Sequence, residues 1–168
     1  MADDTFICSL CCGQSRSPDK CTVCSFYKDA SSSKNYRNVP YYSTKEMSNS
    51  IELQDISYII ESILCAFDLE KENEFSDKTA VQLIELAFDK YHFKDSDLSF
   101  INFTLKDRFE RMSKVIERDL SKIPEEKFIK VLASIYRSIQ RRTNGSREYL
   151  QFAQHYVGAR VDPGIYSE

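Results

Sequence analysis

Beyond residue 50 the apolar positions recur with the period of a helix. Leu53, Ile56, Ile60, Ile63, Leu64 and Phe67 fall on one face of a helix predicted to run from about residue 50 to 69. Asn49, with Glu52 three residues on, fits a capping pair at its start. After the charged connection Lys71-Glu72-Asn73-Glu74, Ser76 is placed to cap a second helix lined by Ala80, Ile84, Ala87, Phe88 and Tyr91. Asp95, Ser96 and Asp97 offer caps for a third, in which Leu98, Ile101, Leu105, Phe109, Met112, Ile116 and Leu120 keep the period. Asn102-Phe103-Thr104 lowers the propensity locally and predicts a kink or break there.

Pro124 suits the first turn of a fourth helix, with Glu125 and Glu126 at its positive end and Arg141 and Arg142 at its negative end. Phe128, Val131, Leu132, Ile135, Tyr136 and Ile139 form its apolar face. Asn144-Gly145 reads as a stop. Ser146 then caps a fifth helix with Tyr149, Phe152, Ala153 and Tyr156 inside. No stretch alternates as a strand should. The expectation is an all-α, five-helix, bundle-like body over residues 50–157, followed by an irregular tail, 158–168.

Length changes this picture little: 168 residues suit one domain with a small appendage. Four Gly and four Pro are too few for a turn-rich β-sandwich or a low-complexity chain. No apolar run approaches the ~20 residues that span a bilayer. The acidic start, Met1-Ala2-Asp3-Asp4, lacks the basic and apolar regions of a secretory signal, so a cytoplasmic setting is expected.

The appendage lies at the N-terminus. Cys8-Ser9-Leu10-Cys11 and Cys21-Thr22-Val23-Cys24 form two C-x-x-C pairs nine residues apart. Each pair directs two thiolates at one ion, and two pairs complete a tetrahedral sulfur shell. The intervening Gly13–Lys20 stretch is polar and turn-forming, as a loop doubling back over a metal must be. A reducing compartment disfavours disulfides, and no βαβ setting surrounds a redox C-x-x-C. The expected ligands are therefore Cys8, Cys11, Cys21 and Cys24, and the expected ion is structural Zn2+. Iron suits the same shell, and Cys12 is an alternative to Cys11 through C-x3-C spacing. Residues 6–27 resemble the zinc-ribbon and zinc-knuckle class. Their opening is similar to the start of the zinc-binding domains of Clp-type unfoldases, in which the second pair comes much later and a glycine directly follows the second cysteine. The resemblance implies a module for protein docking, dimerisation or nucleic-acid contact. Cys65, among Ile60, Ile63, Leu64 and Phe67, is expected to be a small buried hydrophobe.

Residues 28–49 read as a Ser- and Tyr-rich linker. Tyr36, Tyr41 and Tyr42 either pack this segment onto the helical body or, beside Arg37, contact a partner. Charge is uneven: residues 51–100 carry twelve acidic and four basic side chains, whereas residues 101–168 carry thirteen basic and nine acidic. Acidic helices beside basic ones within one body account for this; a basic surface facing a polyanion is the alternative. The candidate surface is Lys130, Arg137, Arg141, Arg142 and Arg147. No nucleophile constellation, Gly-rich phosphate loop or H-E-x-x-H is present, which points away from an enzyme. The sequence thus suggests a non-catalytic zinc-binding adaptor or regulator that docks a protein partner, with homo-oligomerisation compatible. A nucleic-acid-binding regulator using the zinc module and the Arg137–Arg147 region is the alternative.

Overall fold

A computed structural model describes residues 34–70 and 75–160, with side chains to residue 157. The chain divides after Asn35, and Tyr36 opens the helical unit. The four cysteines expected to bind metal, Cys12 and the 158–168 tail lie outside the described side chains. A 3-10 turn, Tyr36–Asn38, leads into six α-helices: α1 (Thr44–Asn49), α2 (Ile51–Leu69), α3 (Asp77–Ala87), α4 (Phe103–Asp119), α5 (Glu125–Arg142) and α6 (Glu148–Arg160). A π turn, Phe88–His92, prolongs α3, and no strand occurs among the described residues. The fold is all-α. None of these helices is long and apolar enough to cross a membrane.

The extra helix is α1, in the stretch read as linker. Ser43 and Glu46 close a capping box around its start: Glu46 N–H donates to Ser43 Oγ at 3.3 Å, and Ser43 N–H to Glu46 Oε2 at 2.7 Å. Because α1 ends at Asn49, the cap of α2 moves one residue on, to Ser50, whose Oγ accepts from Leu53 N–H at 3.3 Å. The third predicted helix breaks where propensity falls. Leu98 and Phe100 pack partly against the core in an irregular segment, and α4 starts at Phe103 with Asn102 Oδ1 accepting from Leu105 N–H at 2.8 Å. Asn102, not Asp95–Asp97, is its cap.

Pro124 stands at the N-cap of α5, one residue earlier than expected. Gly145, at φ +102°, ends the connection to α6 in a conformation that strains side-chain-bearing residues. The cap of α6 comes from far away in sequence. Asp77, fully buried on the first turn of α3, accepts from Tyr149 N–H at 3.0 Å and Leu150 N–H at 3.1 Å. Ser146 instead offers its carbonyl to Asp77 N–H at 2.9 Å.

The predicted stripes converge on one core. Leu53, Ile56, Ile60, Leu64, Cys65 and Phe67 of α2 meet Leu83, Ile84 and Ala87 of α3, Phe109 and Met112 of α4, the α5 stripe, and Tyr149 and Ala153 of α6. Helices α2 and α3 each pack against α4, α5 and α6. Each fully buried Leu, Ile or Phe contributes roughly 1.5–3 kcal/mol. Both charge halves contribute to the same body. Lys127 pairs with Glu52 at 2.7 Å, Arg147 with Asp68 at 2.7 Å, and Arg111 with Glu70. Basic side chains of the second half thus answer acidic ones of the first, as the first reading of the charge pattern expected.

Candidate functional site

The segment before α1 lies across α5 and the π turn. Val39 is buried, and the Tyr36 ring stacks on Phe88 at 6.0 Å and meets Phe93 edge-on at 5.9 Å. Tyr36 O–H donates to Asp89 Oδ1 at 3.1 Å. Tyr42 N–H donates to Ser134 Oγ at 3.0 Å, and the single Ser134 proton has a choice of two carbonyls, those of Tyr42 and Lys130, each at 2.9 Å. Arg137 donates to the Arg37 carbonyl while its guanidinium lies 3.9 Å above the Tyr41 ring. Lys130 is 5.7 Å from the Tyr42 ring centre and 2.6 Å from Glu126. The tyrosines therefore bind this segment to the helical body, one of the two roles read from the sequence.

Beneath this segment runs a cleft between α1, α2, α5 and α6. Its outer chamber, about 400 Å³, is walled by Thr44, Met47, Gln54, Ser57, Phe152 and Tyr156, with Glu61 between them. An adjoining chamber of about 160 Å³ shares Thr44, Met47, Ser57 and Glu61 and adds Tyr41, Tyr42, Ser134, Ser138 and Arg141. Glu61 is only 7% exposed. Its Oε1 accepts from Tyr149 O–H at 2.6 Å and its Oε2 from Ser57 O–H at 3.2 Å. Arg142, on the α6 side, covers the Phe152 ring at 3.7 Å. Gln54 donates to the Met47 and Ser48 carbonyls at 3.2 and 2.9 Å, tying the end of α1 to α2.

The structure places Tyr41, Tyr42 and Arg141 on the smaller chamber, sets Lys130 and Arg137 against the Tyr42 and Tyr41 rings, and sets Arg142 against Phe152. Tyr36 is part of the core edge, Arg37 is exposed, and Arg147 is bidentate on Asp68, at 2.9 and 2.7 Å. The Asp68 side chain is 1% exposed and also accepts from Gln154, so Arg147 serves the fold. Sequence reading missed Glu61 and Ser57. Their signal was position: both lie on the apolar stripe of α2, four and eight residues beyond Leu53, where a carboxylate is out of place.

Buried acids of the core set an alkaline limit. Burial, and then Glu61, hold the Cys65 thiol up at about 12, and burial with Glu85 holds Tyr136 up at about 12. Tyr149 is raised well above the ordinary phenol range, first by burial and then by Glu61. Each keeps its proton more firmly folded than unfolded. Its contribution is therefore intact below the unfolded value, 9.0 for Cys65 and 10.0 for the tyrosines, and is lost as pH climbs toward the folded value. Urea midpoints should fall progressively above pH 9.0, and Cys65→Ala should move the onset toward 10.0. A midpoint flat across that window contradicts the burial argument.

Among the described residues no three His, Cys, Asp or Glu side chains converge to hold a metal. No family model matches the chain, and comparisons with curated proteins and with solved structures returned no significant match.

Proposed function

We propose that this protein is a non-catalytic zinc-binding adaptor of the cell interior that docks a protein partner through its helical body. The observation that carries the reading is the entry to α4. Ile101 and Phe103 are 74% and 82% exposed, two residues apart, beside half-buried Leu98 and Phe100. Large apolar side chains scattered singly need no explanation, but neighbouring ones form the kind of patch that partner proteins cover. The cysteine pairs add a structural zinc module of the docking type. Cys65, buried and with its thiol raised by burial, is unsuited to nucleophilic work.

The nucleic-acid reading is less well supported. Lys130 and Arg147 are held by Glu126 and Asp68, and Arg137 by the Arg37 carbonyl and the Tyr41 ring. Co-purification from native lysate tests the choice. The expected result is a defined protein retained by the wild type and lost by Ile101→Ser/Phe103→Ser, a variant that leaves the core untouched. Recovery of nucleic acid instead, weakening with salt and with Arg141→Glu/Arg142→Glu, refutes it in favour of the alternative.

A further inference from the structure

We propose that Asn144, in the α5–α6 connection, is a self-modification site: it converts through a cyclic imide to isoaspartate and aspartate, and isoaspartate there loosens the hold of α3 on α6. The inference is independent of the docking function.

Asn144-Gly145 is the single Asn-Gly step in the chain. Both residues are exposed, in the bend between the end of α5 at Arg142 and the start of α6 at Glu148. The chemistry is intramolecular. The Gly145 main-chain nitrogen, having given up its proton, attacks Cγ of Asn144. A bond forms between that nitrogen and Cγ, the Cγ–Nδ2 bond breaks, and ammonia leaves with the proton. Water then opens the imide. Opening at the Asn144 main-chain carbonyl routes the chain through Cβ and leaves isoaspartate; opening at Cγ leaves ordinary aspartate. Water is the sole co-reactant.

The turn favours the attack. Gly145 has no β-carbon to crowd its nitrogen, and the place where one would stand is open, with no atom within 4 Å. Its N–H is held only by a neighbouring hydroxyl, Thr143 Oγ1 at 3.1 Å, and not by a helical carbonyl. The Asn144 main-chain N–H donates to Glu148 Oε2 at 3.2 Å, but its side-chain amide has no hydrogen-bond partner among the described residues. Cγ is therefore free to turn toward Gly145. The other described asparagines differ. Asn49 lies in α1, Asn102 Oδ1 accepts from Leu105 N–H at 2.8 Å, and Asn35 and Asn38 precede the bulky Tyr36 and Val39.

The chain is pinned on both sides of this step. Thr143 N–H donates to the Ile139 carbonyl at 2.9 Å, and the Ser146 carbonyl accepts from Asp77 N–H at 2.9 Å. Isoaspartate inserts one more main-chain carbon between these two points. It also adds a carboxylate beside Glu148, whose Oε2 accepts from the N–H groups of Asn144 and Ser146. Its own N–H and then those two hold the Glu148 carboxyl below the usual carboxylate range, so the two meet as like charges. The longer, repelled connection pulls on Ser146, beside the Asp77 clamp on Tyr149 and Leu150.

The test incubates the full chain for weeks in mildly alkaline buffer, with an unstructured peptide of residues 140–149 as the reference, and maps both by mass spectrometry. Conversion at Asn144 is expected before any other asparagine. Its rate should lie within about tenfold of the peptide's, a barrier difference of at most ~1.4 kcal/mol. Labelling by a protein-isoaspartate methyltransferase tells isoaspartate from aspartate of equal mass. The converted protein carries one more negative charge and separates on an anion exchanger. Its isoaspartate fraction should have a lower urea midpoint than the unconverted fraction. Asn144→Gln, whose longer side chain disfavours the ring, should keep its midpoint throughout. Asn144 still intact when the peptide has converted completely overturns the proposal. So does earlier conversion of another asparagine, or an isoaspartate fraction as stable as the unconverted protein.

Discussion

Asp77→Ala is expected to lower the unfolding free energy of the helical body by about 3 kcal/mol. Asp77 is fully buried, as are Tyr149 and Leu150, whose N–H groups it accepts. The first N–H groups of a helix have no partner within it, so a buried helix start needs an acceptor from elsewhere. A carboxylate is the best one, because the N-terminus carries partial positive charge. Alanine leaves two buried donors unsatisfied, each costing roughly 1–3 kcal/mol. It also releases the start of α6 from the start of α3. Asp77→Asn retains one acceptor oxygen and should lose about half as much. Asp97→Ala, at an exposed position, should change little. Urea unfolding measures all three, with the midpoint moving and the slope constant. An Asp77→Ala midpoint indistinguishable from wild type removes the capping argument.

Cys21→Ser is expected to abolish stoichiometric zinc binding. Residues 6–27 offer few apolar side chains, mainly Phe6, Ile7, Leu10, Val23 and Phe26, too few to fold without an ion. Small modules of this kind draw roughly 10–16 kcal/mol of apparent binding free energy from zinc near neutral pH. The helical unit has its own core, and no described cluster competes for the metal. Protein purified without added zinc should therefore carry about one Zn per chain. Chelation should leave most far-ultraviolet helix signal intact. Cys65→Ser should keep the metal, since Cys65 is a free, buried thiol of α2. Zinc near zero in the wild type, with its cysteines freely titratable, refutes the site. Loss of most helix signal on chelation refutes the division of the chain into a metal module and a self-sufficient body.

Where the fold depends on local pattern, the sequence was readable. The α5 stripe from Phe128 to Ile139 is buried as its period predicts, Cys65 is a core residue, and Gly145 ends the α5–α6 connection at positive φ. The helix ends were harder, for three different reasons. Ser50 displaced Asn49 because a short helix without an apolar stripe, α1, stands before it. Asn102 displaced Asp95–Asp97 because the side chains of Leu98 and Phe100 find the core without helical backbone. Asp77 displaced Ser146 because the partner lies 72 positions from Tyr149, a distance no local pattern spans. The cleft was invisible for the same reason: Glu61 and Arg141 are neighbours only once α2 and α5 are packed. A lone glutamate on an apolar stripe was the one local sign of it.

The roof of the cleft is its least secure part. Helix α1 has six residues, none of them buried, and an isolated helix of that length does not persist in water. Its far end is held mainly by the Gln54 amide on the Met47 and Ser48 carbonyls and by half-buried Met47. Two hydrogen bonds from one amide, at about 1 kcal/mol each, and one half-buried methionine are a weak hold beside a packed core, so the roof lifts more readily than the floor. The floor, built on fully buried Ile60 and Leu64 of α2 and Leu132 and Ile139 of α5, opens only when the whole unit unfolds. The cleft is thus a rigid basin under a breathing cover, and whatever enters it need not wait for the body to loosen.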